Sequence, residues 1–178
     1  MGEINSLFKR LYQLIGDRDR NHLEDYLTEI FAEVLQREDI FRDFLITRLG
    51  LEVSGTIAIK EVTTQKTYNK QDNHATDSRP DIKIRFAAGT TSHVLFIENK
   101  LDSFEGNLQL RRYADHLKSY ESDGCLTHLV YITKGHDPKN KIIDTGTNTT
   151  FHQLRWFQRI PPRGNGCGNQ GQLQCRCL

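Results

Sequence analysis

Apolar residues recur three or four positions apart through the first fifty residues, then switch to short β-branched runs, so a helical segment leads into an α/β body. Ile4, Leu7, Phe8, Leu11, Leu14 and Ile15 form one helical stripe, and Leu23, Tyr26, Leu27, Ile30, Phe31, Val34 and Leu35 form a second. Asn21 with Glu24 three positions later approaches a capping box, which starts the second helix near residue 22. A shorter helical pattern through Ile40, Phe41, Phe44, Leu45 and Leu49 stops at Gly50. From residue 53 the texture predicts strands within Val53 to Tyr68, Asp81 to Phe86 and His93 to Leu101. Asn69 to Arg79 is polar, with Ala75 its only apolar anchor, and reads as a mobile loop or an extended hairpin tip. After Gly106, Leu108, Leu110, Tyr113, Leu117 and Tyr120 return to helical spacing; Leu126 to Thr133 is a fourth strand, and Thr150 to Ile160 a last strand or short helix. The expected fold is α/β: one domain over residues 1–160, helical over 1–50, with an α/β core at about 20–160 built on a mixed four-stranded sheet flanked by helices. Beyond it, residues 161–178 turn to Gly, Gln, Asn, Cys and Arg with almost nothing to bury, and are expected to be a disordered tail.

Composition narrows the partners without choosing one. The 178 residues are 37% hydrophobic and 26% charged, enough for one domain with a real core. The longest purely apolar stretch, Val94 to Ile97, is far short of the roughly 20 residues a bilayer-spanning helix needs, and no basic-then-apolar leader opens the chain, so a cytoplasmic protein is expected. Lysine and arginine number 24 against 23 acids, so a nucleic-acid surface has to be a local patch. Cys167, Cys175 and Cys177 crowd the tail and leave only Cys125 in the body, which is no disulfide framework, and the tail thiols lack the paired spacing of a zinc site.

One place carries charge where a core strand would reject it. Val94-Leu95-Phe96-Ile97 is apolar on both faces, as a central strand is, and runs directly into Glu98 and Lys100. Side chains alternate along a strand, so Glu98 and Lys100 share one face while Ile97, Asn99 and Leu101 take the other. In the preceding strand Ile82, Ile84 and Phe86 share a face, which puts Asp81 on the opposite one. A hairpin centred between Gly89 and Thr90 sets Asp81 across from Glu98. Opposed like charges are destabilising unless a cation lies between them, and two carboxylates with a lysine alongside suit a hard divalent ion, Mg²⁺ or Mn²⁺. A Glu-x-Lys at a strand end is commonly just a solvated face; the Pro80-Asp81 one hairpin earlier and the helix with Gln109 and Tyr113 immediately after are what set this one apart.

Pro80-Asp81 followed by Glu98-Asn99-Lys100 resembles the PD-(D/E)xK nuclease superfamily of restriction enzymes, Holliday-junction resolvases and RecB-like nucleases. Gln109 to Tyr113 is similar to the Q-x-x-x-Y motif of the RecB-like branch. Positions i and i+4 share a helix face, so both side chains can reach one site. The order helix, three strands, helix, strand also matches that superfamily's core, and the resemblance spans about residues 20–160. It implies a restriction-endonuclease-like core and metal-dependent hydrolysis of phosphodiester bonds, with DNA the favoured substrate and a prokaryotic or phage setting. Asp81 and Glu98 would ligate Mg²⁺ or Mn²⁺ with the backbone carbonyl of Asn99, Lys100 would orient the attacking water, and Gln109 and Tyr113 would position phosphate or water. The family often adds a glutamate from its first core helix. Glu24 flanks the apolar stripe whereas Glu29 points away from it, so Glu24 is the expected contributor.

Arg111, Arg112 and Lys118 follow the site on the same helix and fit either phosphate contacts or a solvated face paired with Asp115. No base-reading module or aromatic-rich single-strand platform is visible, and the seven histidines form no H-x-x-x-H spacing. Two other classes of function remain open: a catalytically inactive module of the same fold that grips nucleic acid or a protein, and an interaction protein whose 4–15 stripe docks on a partner or on a second copy.

Overall fold

In a computed structural model of the chain, the described residues are 11, 23–101, 103–135, 137–139 and 148–156. The 4–15 stripe apart from Leu11, the Asn21 cap, the tail cysteines and the whole of 161–178 lie outside them.

Helix α1, Leu23–Leu35, carries no glycine or proline and places Glu24 and Asp25 in its first turn, where the helix dipole favours negative charge. Helix α2, Glu38–Asp43, continues into a π-helical turn at Phe44–Arg48, and Gly50, at φ +64°, ends it. The wider turn leaves Phe44, Leu45 and Leu49 all buried in the same core. The strands are β1 Ile57–Thr64, β2 Ile82–Ala88, β3 Thr91–Lys100, β4 Leu126–Thr133 and β5 Thr150–Arg155, with α3, Gln109–Ser122, between β3 and β4.

The strands form one mixed sheet in sequence order, with β1, β2 and β3 antiparallel and β3, β4 and β5 parallel. The expected four strands are therefore five. The undecided 150–160 segment supplies the fifth, pairing Ile132 with Leu154; Leu154 joins the core on one side of the sheet and Phe151 packs on the other, an alternation a helix would not give. The β2–β3 register, Ile82 opposite Ile97 through Ala88 opposite Thr91, is the one expected from a turn at Gly89 and Thr90. Gly89 adopts φ +58°, and a Cβ on Gly55 would lie 3.1 Å from its Cα, so both glycines are needed where the two backbones meet.

Each sheet face has its own core. Ile82, Ile84, Leu95, Ile97, Val130 and Ile132 pack under α1, α2 and the π-turn, while Val94, Phe96, Leu129 and Tyr131 pack under Leu110, Tyr113, Ala114 and Leu117 of α3. Burial of each such large side chain is worth about 1.5–3 kcal/mol. The apolar stripe of α1 differs from the sequence reading. The helix buries Thr28, Glu29, Ala32 and Leu35, whereas Leu23, Ile30 and Val34 are exposed. Small residues at 28 and 32 let the helix approach the sheet, and Thr28 Oγ1 accepts a hydrogen bond from the buried Asn99 side chain at 3.1 Å. Glu29, expected to point away from the packed side, is buried.

The 69–79 segment is not a free tip. Tyr68 and Ser78 bridge its ends, and His74 Nε2 lies 3.1 Å from Asp115 Oδ2 on α3, both side chains buried. Histidine supplies the anchor that a search for apolar residues passes over.

Candidate active site

The site forms where β3 leaves the sheet beside its parallel neighbour β4, with β2 on the other side and the N-terminal turn of α3 above it. Asp81, Glu98, Lys100, Gln109 and Tyr113 line one open cleft of about 330 Å³, joined by Glu24, Asp25, Asp77, Arg79 and Arg112. All five expected central side chains are thus brought together, and Glu98 shares its sheet face with Phe96 and Tyr113 as the strand alternation requires.

Glu98 is 1% exposed and is held on every side. Lys100 Nζ lies 2.7 Å from Oε1, Gln109 Nε2 donates to the same oxygen at 2.7 Å, and the Tyr113 hydroxyl is 3.0 Å from Oε2. Tyr113 also lies 2.8 Å from the Arg79 carbonyl and accepts from Gln109 Nε2 at 2.7 Å, so its single proton is shared between two acceptors. Helical i, i+4 spacing is what lets Gln109 and Tyr113 meet over one carboxylate. Asp81 sits one residue beyond the hydrogen-bonded ladder, where its carbonyl accepts from Gln65 N–H at 2.8 Å and its Oδ2 accepts from Asn99 N–H at 2.6 Å.

The electrostatics are those of a site short of positive charge. Burial raises Asp81 well above the usual carboxylate range, and the neighbouring Glu98 charge raises it further against the opposing Asn99 hydrogen bond and Lys100. Burial also raises Glu98, in part offset by Lys100, Tyr113 and Gln109. For Lys100 burial pulls the ammonium down, but Glu98, Asp81 and Glu24 together outweigh it and the net shift is upward. Tyr113 is raised by burial and by Glu98, which keeps its hydroxyl protonated as a donor.

The donor set fits a hard divalent cation. Asp81 uses only Oδ2 in the hydrogen bonds of the described residues, Glu98 keeps one lone pair on Oε2, and both carboxylates face the same cleft. Among the described residues no group of three or more His, Cys, Asp and Glu side chains forms a ready-made cage, so an ion here would draw on the Asn99 carbonyl and water for the rest of its shell.

Glu24 reaches the cleft as expected, but it is engaged as a clasp. Its Oε1 accepts from Leu101 N–H at 2.8 Å and from Ser103 N–H at 3.2 Å, and Ser103 Oγ lies 2.8 Å and 2.9 Å from its two oxygens. Arg112 lines the cleft, Arg111 does not and is exposed, and Lys118 pairs with Asp115 at 2.8 Å away from the site. Sequence reasoning missed Asp25, Asp77 and Arg79. Arg79 had one signal, its position directly before Pro80-Asp81; Asp77 arrives only because the 69–79 segment folds back onto α3.

No helix among the described residues is long and apolar enough to cross a membrane. A comparison of the chain with models of protein families finds no match, and a comparison with curated proteins finds none either.

Proposed function

We propose that the chain is a metal-dependent nuclease that hydrolyses phosphodiester bonds, with DNA as the substrate suggested by its resemblance to PD-(D/E)xK enzymes and a restriction-endonuclease-like core as the fold. The observation that carries this reading is the meeting of Asp81 and Glu98, from paired strands, over one cleft that also holds Lys100, Gln109 and Tyr113. Burial raises both carboxylates, and the Glu98 charge raises Asp81 further, so the pair is costly to ionise until a cation arrives.

Asp81 and Glu98, with the Asn99 carbonyl, would hold Mg²⁺ or Mn²⁺. When bound, the ion supplies Lewis acidity toward a phosphate oxygen and makes a water more acidic. Lys100 would orient an attacking water in line with phosphorus and offset charge on the phosphate. Gln109 and Tyr113 fix the Glu98 carboxylate, and Tyr113 ties it to the Arg79 carbonyl, so the ligand geometry is set before substrate binds. Arg79 and Arg112 supply positive charge for flanking phosphates.

A second reading has its own observation: Glu98 is already satisfied by Lys100, Gln109 and Tyr113, as it would be in a catalytically inactive nucleic-acid or protein-binding module. The deciding experiment incubates wild type and Glu98→Gln with labelled single-stranded DNA, duplex DNA and RNA in Mg²⁺, Mn²⁺ or chelator. Cleavage by wild type in metal alone, absent in the variant, is the expected result. Equal cleavage by both removes Glu98 from the mechanism, and no cleavage under any condition leaves the binding module.

A further inference from the structure

Helix α1 turns one side to the sheet and leaves another exposed. Leu23, Ile30 and Val34 are 55%, 46% and 39% exposed, and Leu27 between them is half-buried. Single exposed apolar residues are ordinary on a protein surface. These four instead follow the spacing i, i+4, i+7, i+11, which aligns them in one stripe on the side away from the buried Thr28, Ala32 and Leu35. The first apolar stripe of the chain has the same spacing, in Ile4, Phe8, Leu11 and Ile15. Folded back antiparallel, Ile15 meets Leu23, Leu11 meets Leu27, Phe8 meets Ile30 and Ile4 meets Val34, with no position out of step. Gly16 follows Ile15 where glycine commonly ends a helix, and the seven residues 16–22, otherwise all polar, fall within the two to eight that join neighbouring helices. A helix over 4–15 would measure about 18 Å, against about 20 Å for the 13 residues of α1. Leu11, the one residue of the first stripe among the described residues, is helical and partly buried.

We propose that residues 4–15 form a helix that docks antiparallel on the stripe of Leu23, Leu27, Ile30 and Val34. Charge selects this occupant over a second copy of the chain. Residues 4–15 carry Lys9 and Arg10 and no acid, whereas α1 carries Glu24, Asp25, Glu29 and Glu33 and no base, so two α1 helices set against each other would bring four acids to four. The inference does not depend on the nuclease reading, yet it bears on the cleft. Helix α1 supplies Glu24 and Asp25 to that cleft, so the docked segment braces one of its walls.

The test uses the full chain with Cys167, Cys175 and Cys177 changed to Ser, which leaves the buried Cys125 as the only native thiol. Phe8→Cys with Ile30→Cys places two thiols opposite each other in the hairpin, and mild oxidation is expected to close a disulfide within one chain, read as a loss of two alkylatable thiols at unchanged mass in light scattering. Ile4→Cys with Leu23→Cys lies at opposite ends of the hairpin, about 16 Å apart along the axis, and is expected to stay reduced. A double-mutant cycle in urea midpoints checks the contact without a cross-link: the losses from Phe8→Ala and Ile30→Ala should fall short of additive in the double variant, whereas those from Phe8→Ala and Leu126→Ala, a residue exposed on β4, should add. No closure in the opposed pair, equal closure in both pairs, or additive losses for Phe8 and Ile30 overturns the proposal. A disulfide that forms only between chains, with the mass doubled, also overturns it and gives the stripe to a second copy.

Discussion

Asp81 Oδ2 accepts the backbone N–H of Asn99 at 2.6 Å, so the carboxylate just ahead of β2 is fixed to the one residue of β3 that lies between Glu98 and Lys100. The bond sets the spacing of the two carboxylates through the backbone. Asp81→Asn keeps an acceptor for this N–H and loses the charge. The variant is expected to fold, and to lose the thermal stabilisation that Mg²⁺ or Mn²⁺ gives wild type, about 2.7 kcal/mol at a hundredfold excess over Kd, or several degrees in Tm. A variant that retains the full metal-induced shift in differential scanning calorimetry removes Asp81 from the ligand set.

The pH dependence of the metal-free protein follows from the same pair. Asp81 and Glu98 are raised in the folded state, so their contribution is present below the usual carboxylate range and is lost as pH climbs through their raised values. Asp81→Asn should therefore flatten the decline in urea midpoint from acid toward neutral pH. A decline as steep as wild type would show that the Asp81 charge is compensated without metal.

At the other end of the sheet, three histidines act with the opposite sign. His93 Nδ1 and His128 Nε2 are 3.1 Å apart in nearly coplanar rings, and His152 follows on β5. Burial lowers all three, His128 to about 3 with help from His152 and His93, and His152 to about 4. Their contribution is present above the ordinary histidine value of about 6.5 and is lost as pH falls toward 3. His128→Gln should reduce the proton uptake on acid unfolding by about one between pH 6 and 4, read from urea midpoints across that range.

Removing the Tyr113 hydroxyl strips Glu98 Oε2 and the Arg79 carbonyl of a shared donor. Tyr113→Phe is expected to cost about 1 kcal/mol of stability and roughly ten- to a hundredfold in metal-dependent cleavage. Stability loss with full cleavage would confine Tyr113 to packing.

His74→Ala should release the 69–79 segment, because Asp115 loses a buried partner and keeps only Lys118. A loss of about 1–3 kcal/mol and faster amide exchange across 69–79 are the expected readouts. Unchanged exchange would mean that Tyr68 and Ser78 suffice to hold it.

The gathering of Asp81, Glu98, Lys100, Gln109 and Tyr113 is legible in the sequence because these residues lie on a hairpin and the helix after it, where register, side-chain alternation and i, i+4 spacing are local rules. Glu98 facing Tyr113 follows from counting along β3 and α3. The parts that escaped depend on distant partners. Whether Thr150–Arg155 becomes strand or helix is settled by β4, and which side of α1 packs is settled by Asn99 meeting Thr28, since that helix carries large apolar residues around most of its circumference. The 69–79 segment looked free because its anchor is a histidine and an aspartate that meet only after α3 docks.

Because Asp81 and Glu98 sit at matched positions on antiparallel neighbours joined at Gly89 and Thr90, adding or deleting one residue in that connection rotates one carboxylate to the far side of the sheet while most backbone pairing survives. The length of this short link therefore decides whether the two acids share a face, whereas the long excursion between β1 and β2 reaches the cleft through Asp77 and Arg79, just before it returns to Pro80.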